Sequence, residues 1–225
     1  MSPFVETAFD RYIKQRIKRN KNLLMLVAGD TGSGKSWTAL AIAERVDEDF
    51  NEEKIIFTYD ELIDVVETQK FPKGSCIIFD EASAEALQAR DFMSRKNKSI
   101  SALLQTFRNM NYVVIFTSPD MSFIDRQARS LLHMILVTRD DGINYQANLN
   151  SVKVYMIRKS IFKGGFKYFN ILRWKDHATG EINELSTLLV PKPRPNLIKA
   201  YELKKHQFQK KLYRKLRKHF GEKEL

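Results

Sequence analysis

The chain has 225 residues, 43% hydrophobic and 29% charged, with 38 Lys/Arg against 27 Asp/Glu for a net charge of +11. It is long enough to bury a real core, as one domain or as one domain with an appendage. The single cysteine, Cys76, excludes a disulfide framework, and no apolar stretch approaches the roughly 18 residues that cross a bilayer, so no integral membrane segment and a cytoplasmic location are expected.

The charge is unevenly placed. Residues 192–225 hold twelve Lys/Arg against three Glu, a net +9, and residues 1–21 hold six against two, a net +4. Residues 22–191 therefore carry −2. A near-neutral body with basic ends points to a polyanionic partner, nucleic acid first and DNA before RNA. Lysine-rich helices that only keep a surface solvated are the alternative.

Ser2-Pro3 predicts a helix start, with proline at the first helical position. Phe4, Val5, Ala8, Tyr12, Ile13 and Ile17 follow at helical spacing, so residues 1–22 read as a basic N-terminal helix. The apolar run from Leu23 predicts a strand, and Trp37 to Asp47 a helix. Between them stands Gly29-Asp30-Thr31-Gly32-Ser33-Gly34-Lys35-Ser36. G-x-x-x-x-G-K-S between a strand and a helix is the P-loop, a phosphate cradle. Its glycines let successive amide N–H groups turn inward, and the helix N-terminus adds free donors and the positive end of a dipole. Gly29 to Trp37 are thus the expected ATP-binding residues. Lys35 reaches the β- and γ-phosphates, and the Ser36 hydroxyl ligates Mg2+.

Ile55 to Thr58 predicts a second short strand, followed by a helix from about Asp60 to Thr68 and a loop at Phe71-Pro72-Lys73-Gly74. Ser75 to Phe79 is then a buried strand ending in Asp80-Glu81. Four apolar residues before an aspartate form the Walker B pattern. It puts Asp80 beside the hydrated magnesium and Glu81 where it can polarise the attacking water as a general base. An ordinary strand-to-helix junction uses the same residue types. Residues 82–110 read as helical, broken around Asp91 to Lys98. Tyr112 to Thr117 is another apolar strand, closed by Ser118-Pro119-Asp120. Thr117 and Ser118 would either sense the γ-phosphate from between the two Walker strands or form a simple turn. A short helix over Ser122 to Leu132 and a strand over His133 to Thr138 complete the βαβα order. The fold class is α/β: a RecA-like (ASCE) P-loop NTPase, with a parallel sheet flanked by helices over residues 23–139.

After Asp140-Asp141-Gly142 the pattern changes. Val152 to Phe162, the turn Lys163-Gly164-Gly165, and Phe166 to Trp174 predict an antiparallel hairpin with long arms. Ile182 to Val190 is a further strand, giving a β-rich extension over residues 140–190. Pro191-Lys192-Pro193-Arg194-Pro195 is a stiff breaker. Asn196 is then expected to cap a basic helix in the segment 191–225, with Leu197, Tyr201, Phe208, Leu212, Leu216 and Phe220 along one stripe. Packing that stripe leaves Lys204, Lys205, Lys210, Lys211, Arg214, Lys215, Arg217 and Lys218 outward as nucleic-acid contacts, sequence-independent and salt-sensitive. An acidic membrane surface would attract the same helix.

Ile77 to Ala82, Gln105 to Asn111, Val113 to Pro119 and Ile124 to Arg129 resemble the HerA/FtsK-type P-loop ATPases. The nearest branch is that of zonular occludens toxin-like phage assembly ATPases and viral genome-packaging ATPases, and the resemblance covers roughly residues 23–138. It implies a ring-forming homo-oligomeric motor, from a virus or mobile element, that couples Mg-ATP hydrolysis to DNA translocation, packaging or remodelling. Such rings supply an arginine across the subunit interface. Of Arg95, Arg108, Arg126 and Arg129, the favoured candidates are Arg108 and Arg129. The chain departs from the family at Thr117-Ser118, where Thr-Gln is usual, and in lacking the membrane segment of the toxin-like proteins. The alternatives are an ATP-dependent assembly switch, or an AAA+-like replication initiator or helicase loader. The loader reading expects a helical lid where this chain has predicted strands.

Overall fold

Strands that are apolar on both sides need cover on both faces of their sheet. Among the described residues β1 (Leu23–Ala28), β3 (Cys76–Phe79) and β4 (Val113–Ser118) meet that description, buried along their whole length. A computed structural model describes residues 7–80, 109–124, 129–159, 165–177 and 179–221, the side chains of Phe123, Lys159, Lys215 and residues 218–221 excepted. It pairs these strands in parallel with β2 (Ile55–Ile56) and β5 (Met134–Val137), in the order β2-β3-β4-β1-β5. Beyond β5 the sheet turns antiparallel: β7 (Leu149–Lys159) pairs with β5, and β11 (Thr187–Pro191) with β7. Short β6 (Ile143–Asn144) and β8 (Phe166–Phe169) also pair with β7. The architecture is the expected one, a mostly parallel sheet flanked by helices with an antiparallel hairpin at one side.

Successive side chains of a strand point to opposite faces. Leu23, Met25 and Val27 join a cluster with α2 (Lys35–Val46), and Leu24, Leu26 and Ala28 join one with α3 (Tyr59–Glu67). Among the described residues no helix is long and apolar enough to cross a membrane.

Several boundaries differ from expectation, each for a local reason. The start expected at Ser2-Pro3 lies outside the described residues; helix α1 (Ala8–Lys18) is capped by Thr7 and Asp10, which form a capping box: Asp10 N–H donates to Thr7 Oγ1 at 3.3 Å, and Thr7 N–H donates to Asp10 Oδ2 at 2.8 Å. β2 stops at Ile56 because Thr58 is the N-cap of α3, paired in the same way with Glu61. Of the helix expected over residues 82–110, residues 109–110 are helical and 82–108 lie outside the described residues. The centre of the one expected over residues 122–132, at 125–128, lies outside them too.

The long hairpin is interrupted. β8 follows β7 only to Phe169, and β9 (Leu172–Lys175) pairs instead with β10 (Ile182–Leu185) in a separate two-stranded sheet. Leu172 and Trp174 are buried there, with Trp174 5.5 Å from the ring of Tyr12 on α1. The run from Ile182 to Val190 divides at Ser186 between β10 and β11.

The terminal helix α4 (Pro195–Gly221) begins one residue before Asn196, with Pro195 in the first helical position. Its first half is docked on the body. Leu197 and Tyr201 are buried in the cluster with α2, and Phe208 stacks on Phe57 at 4.9 Å. Arg194 Nε donates to the buried Glu44 Oε2 of α2 at 2.7 Å. The Lys204 ammonium donates to the Glu52 carbonyl at 2.8 Å and to the Ile55 carbonyl, so it faces the body rather than outward.

His133 offers a pH test of this packing. Its Nδ1 accepts the Leu24 N–H at 3.1 Å, and burial, reinforced by the Arg16 charge, pushes its pKa from 6.5 down to about 4. An unfolded chain therefore binds a proton that the fold refuses. This contribution to stability is full above the unfolded pKa and is lost as pH falls toward the folded one, up to about 3 kcal/mol in all. Thermal melts should show Tm falling between pH 6.5 and about 4, and His133→Asn should flatten that slope. An unchanged slope in the variant assigns the effect to other groups.

Candidate nucleotide-binding site

The cradle is built where β1 meets α2. A Cβ at Gly29 would fall 2.3 Å from the Thr138 carbonyl oxygen, so β1 can end against β5 only without a side chain there. Gly34, at φ +82, is the N-cap of α2 in a left-handed conformation that favours glycine. No side chain caps this helix and its first turn holds no acid, so its first amide donors and positive dipole end remain for an anion. Buried Ser33 pins the loop: its Oγ donates to the Asp30 carbonyl at 2.7 Å and lies 2.7 Å from Thr138 Oγ1. Asn150 of β7 donates through Nδ2 to the Ser33 carbonyl at 3.1 Å and to Thr38 Oγ1 at 3.3 Å. Lys35 Nζ donates to the carbonyls of Gly29 at 2.9 Å and Asp30 at 2.7 Å.

Because β4 lies between β1 and β3, the end of β4 stands between the loop and Asp80. Asp80 is fully buried, and its Oδ1 accepts from Ser36 Oγ at 3.0 Å and from Thr117 Oγ1 at 2.6 Å. Its Oδ2 accepts the Tyr201 hydroxyl at 2.7 Å, with Lys205 Nζ at 3.9 Å. Converging hydroxyl and carboxylate oxygens are hard donors, the kind Mg2+ takes, so the residues present fit a magnesium–nucleotide. Ser118 hydrogen-bonds the Asp120 carbonyl at 2.9 Å and so holds the turn. Glu81 and Arg108 lie outside the described residues. Arg129 is half-buried, and its Nε has no hydrogen-bond partner among the described residues. The Asp120 carboxyl is held low, first by hydrogen bonds from Ser122 and last by the Arg129 charge.

A cleft of about 630 Å³ opens beside these groups, lined by Ser36, Thr117 and Tyr201, the three hydroxyl partners of Asp80. Thr31, Gly32, Lys35, Ser36 and Thr117 line it, together with the apolar side chains of Trp37, Ile143, Leu149, Val190 and Pro191. Trp37 is 39% exposed, with Lys192 Nζ 4.9 Å above its ring. Tyr201 and Lys205 of α4 form part of the wall. Lys205 therefore belongs to the nucleotide cleft and not to an outward basic face. Lys210, Lys211, Arg214 and Arg217 are exposed, while the side chains of Lys215 and Lys218 are outside the described set. Sequence reasoning missed Thr138, Asn150 and Tyr201 here and assigned Lys205 to nucleic acid rather than to this cleft. The signal available for Tyr201 was a hydroxyl in a stripe otherwise made of Leu and Phe.

A glycine-bounded loop feeding a helix, an aspartate at the end of a neighbouring strand, and a polar strand end between them define a P-loop NTPase. More narrowly, the chain belongs to the ResIII family, described as "Type III restriction enzyme, res subunit", whose profile matches residues 3–140. It is a P-loop ATPase domain of the helicase (ASCE) type, which bears out the resemblance to P-loop ATPases read from the sequence. No curated protein matches the chain.

Three solved structures are similar at 10–14% identity. A DNA polymerase III gamma subunit-related protein from Thermotoga maritima matches with TM-score 0.43 and 10% identity, over 61% of this chain and 47% of that one. This chain thus spans about half the length of that protein. The N-terminal domain of zonular occludens toxin from Neisseria meningitidis matches with TM-score 0.37 and 14% identity, over 66% and 94%. ATPases 2 and 3 of EssC from Geobacillus thermodenitrificans match with TM-score 0.37 and 12% identity, over 84% and 44%.

Proposed function

We propose that this chain hydrolyses Mg-ATP in the cleft and couples turnover to DNA translocation, packaging or remodelling, as a homo-oligomeric ring. The observation that carries the reading is the course of α4. It meets Asp80 through Tyr201 and, a few turns further on, exposes Lys210, Lys211, Arg214 and Arg217. One rigid element touches both the nucleotide site and a basic surface. The family's description, a type III restriction enzyme subunit, agrees with a DNA partner.

In this reading the loop amides, the N-terminus of α2 and Lys35 bind the phosphates. Ser36 and Asp80 would hold magnesium, whose chemistry there would be that of a Lewis acid for the phosphoryl oxygens. Glu81, next in sequence to Asp80, accepts the proton of the attacking water. Thr117 fixes the orientation of Asp80. Trp37, Ile143, Leu149 and Val190 offer the base an apolar wall. Arg108 and Arg129 are the candidates for an arginine given to a neighbouring subunit.

A nucleotide-dependent switch is the second reading, favoured by the Tyr201–Asp80 hydrogen bond that ties α4 to the site. It predicts nucleotide-dependent DNA affinity without sustained turnover. Strands over residues 143–191 stand where a loader would have a helical lid.

Replacing Lys210, Lys211, Arg214 and Arg217 with alanine tests the DNA limb. Affinity should fall, and the slope of log affinity against log salt should lessen by about one for each lost phosphate contact. An unchanged slope contradicts the assignment. Removing the chain from Pro191 onward is a poor substitute, because it strips Leu197 and Tyr201 from the core.

A further inference from the structure

We infer that Lys205 is a phosphate-contacting residue supplied in cis by α4, reading the γ-phosphate of the bound nucleotide, with Tyr201 as its positioning residue. The inference rests on the nucleotide-binding reading above and adds a residue to it.

Three observations carry it. First, Lys205 lines the same cleft as Lys35, Ser36 and Thr117, although it lies on an element far from the P-loop in sequence. Second, its ammonium is held from its own helix: Nζ donates to the Tyr201 hydroxyl at 3.1 Å and lies 5.6 Å from the centre of that ring. Tyr201 is fixed in turn, buried in the core and donating to Asp80 Oδ2 at 2.7 Å. Third, Lys205 Nζ stands 3.9 Å from Asp80 Oδ2, beyond hydrogen-bond reach, with 21% of its side chain exposed. It is aimed at the metal-binding carboxylate without being closed onto it.

The chemistry follows from charge. In phosphoryl transfer the terminal phosphate gathers negative charge on its outer oxygens, and a fixed cation there stabilises it. Lys35 and the N-terminus of α2 approach from the P-loop, and Lys205 approaches from the Asp80 side. A diphosphate lacks the group that Lys205 would meet. Lys205 should therefore discriminate ATP from ADP, and it would carry the nucleotide state into α4.

The test is equilibrium binding of ADP and of a non-hydrolysable ATP analogue, each with magnesium, followed by calorimetry. Lys205→Met should weaken the triphosphate analogue about 10-fold or more, the cost of one charge-assisted hydrogen bond, while ADP affinity moves less than about 3-fold. Lys205→Arg should restore most of the difference, and Lys205→Gln, a second neutral variant, should behave like Lys205→Met. If both nucleotides weaken equally, or neither weakens, the role given to Lys205 is wrong and the binding reading stands. If the unaltered chain binds neither nucleotide, both fall together.

Discussion

Gly29→Ala should lose ATP binding and much of its stability in one step. The added methyl would lie 2.3 Å from the Thr138 carbonyl oxygen, 2.4 Å from Thr138 Oγ1 and 2.8 Å from Ser33 Oγ. The carbonyl is backbone at the end of β5 and cannot swing aside. The ends of β1 and β5 must part, and the Ser33–Thr138 contact that pins the loop goes with them. Overpacking costs about 1–3 kcal/mol in general. A backbone clash belongs at the upper end, which lowers Tm by roughly 6–12 °C in a chain of this size. Displaced amides lose at least one hydrogen bond to phosphate, so affinity should drop more than about 10-fold. Gly32→Ala is the control. Among the described residues nothing lies within 4 Å of its added methyl, and the strain of φ +88 remains. Calorimetry and melts on the two variants check the contrast. Equal behaviour would mean that the close approach to Thr138 does not shape the loop.

Asp80→Asn should leave the fold and ADP binding close to normal while turnover falls by about 100-fold or more. Asn has nearly the same shape and keeps one oxygen acceptor for the hydroxyls of Ser36, Thr117 or Tyr201, all of which now bond to Asp80. What it lacks is the negative charge that, in the proposed mechanism, would hold magnesium against the phosphates. Metal stabilisation of phosphoryl charge is worth several kcal/mol, and each 1.4 kcal/mol or so is tenfold in rate. Phosphate release under saturating nucleotide is the measurement. Turnover within about tenfold of the unaltered chain would remove Asp80 from the metal site.

How much of this was legible in the sequence depends on how local each feature is. The P-loop was readable because the cradle uses contiguous residues, Gly29 to Ser36, whose spacing is the geometry. Asp80 was readable because it ends an apolar strand, and the place of Thr117 beside it followed from the strand order usual for this class. The interruption of the hairpin was not readable, since the burial of Trp174 depends on Tyr12, more than 150 residues earlier in the chain. The stripe on α4 was visible as apolar, yet its partner was not. Nothing local distinguishes a lysine that reaches solvent, such as Lys210, from one turned into the cleft, such as Lys205. That distinction needs Tyr201 to find Asp80 across 121 positions of sequence. The basic end was therefore read as one uniform surface, whereas the helix divides into a docked half and an exposed half.

The central claim is that the P-loop, Asp80 and α4 form one cleft that turns over Mg-ATP. Phosphate release by the unaltered chain, followed with magnesium and again with magnesium chelated, tests it most directly. Steady multiple-turnover release with magnesium, falling to background on chelation, is the expected result. Release no faster than in a protein-free control, or equal release with and without magnesium, would contradict it.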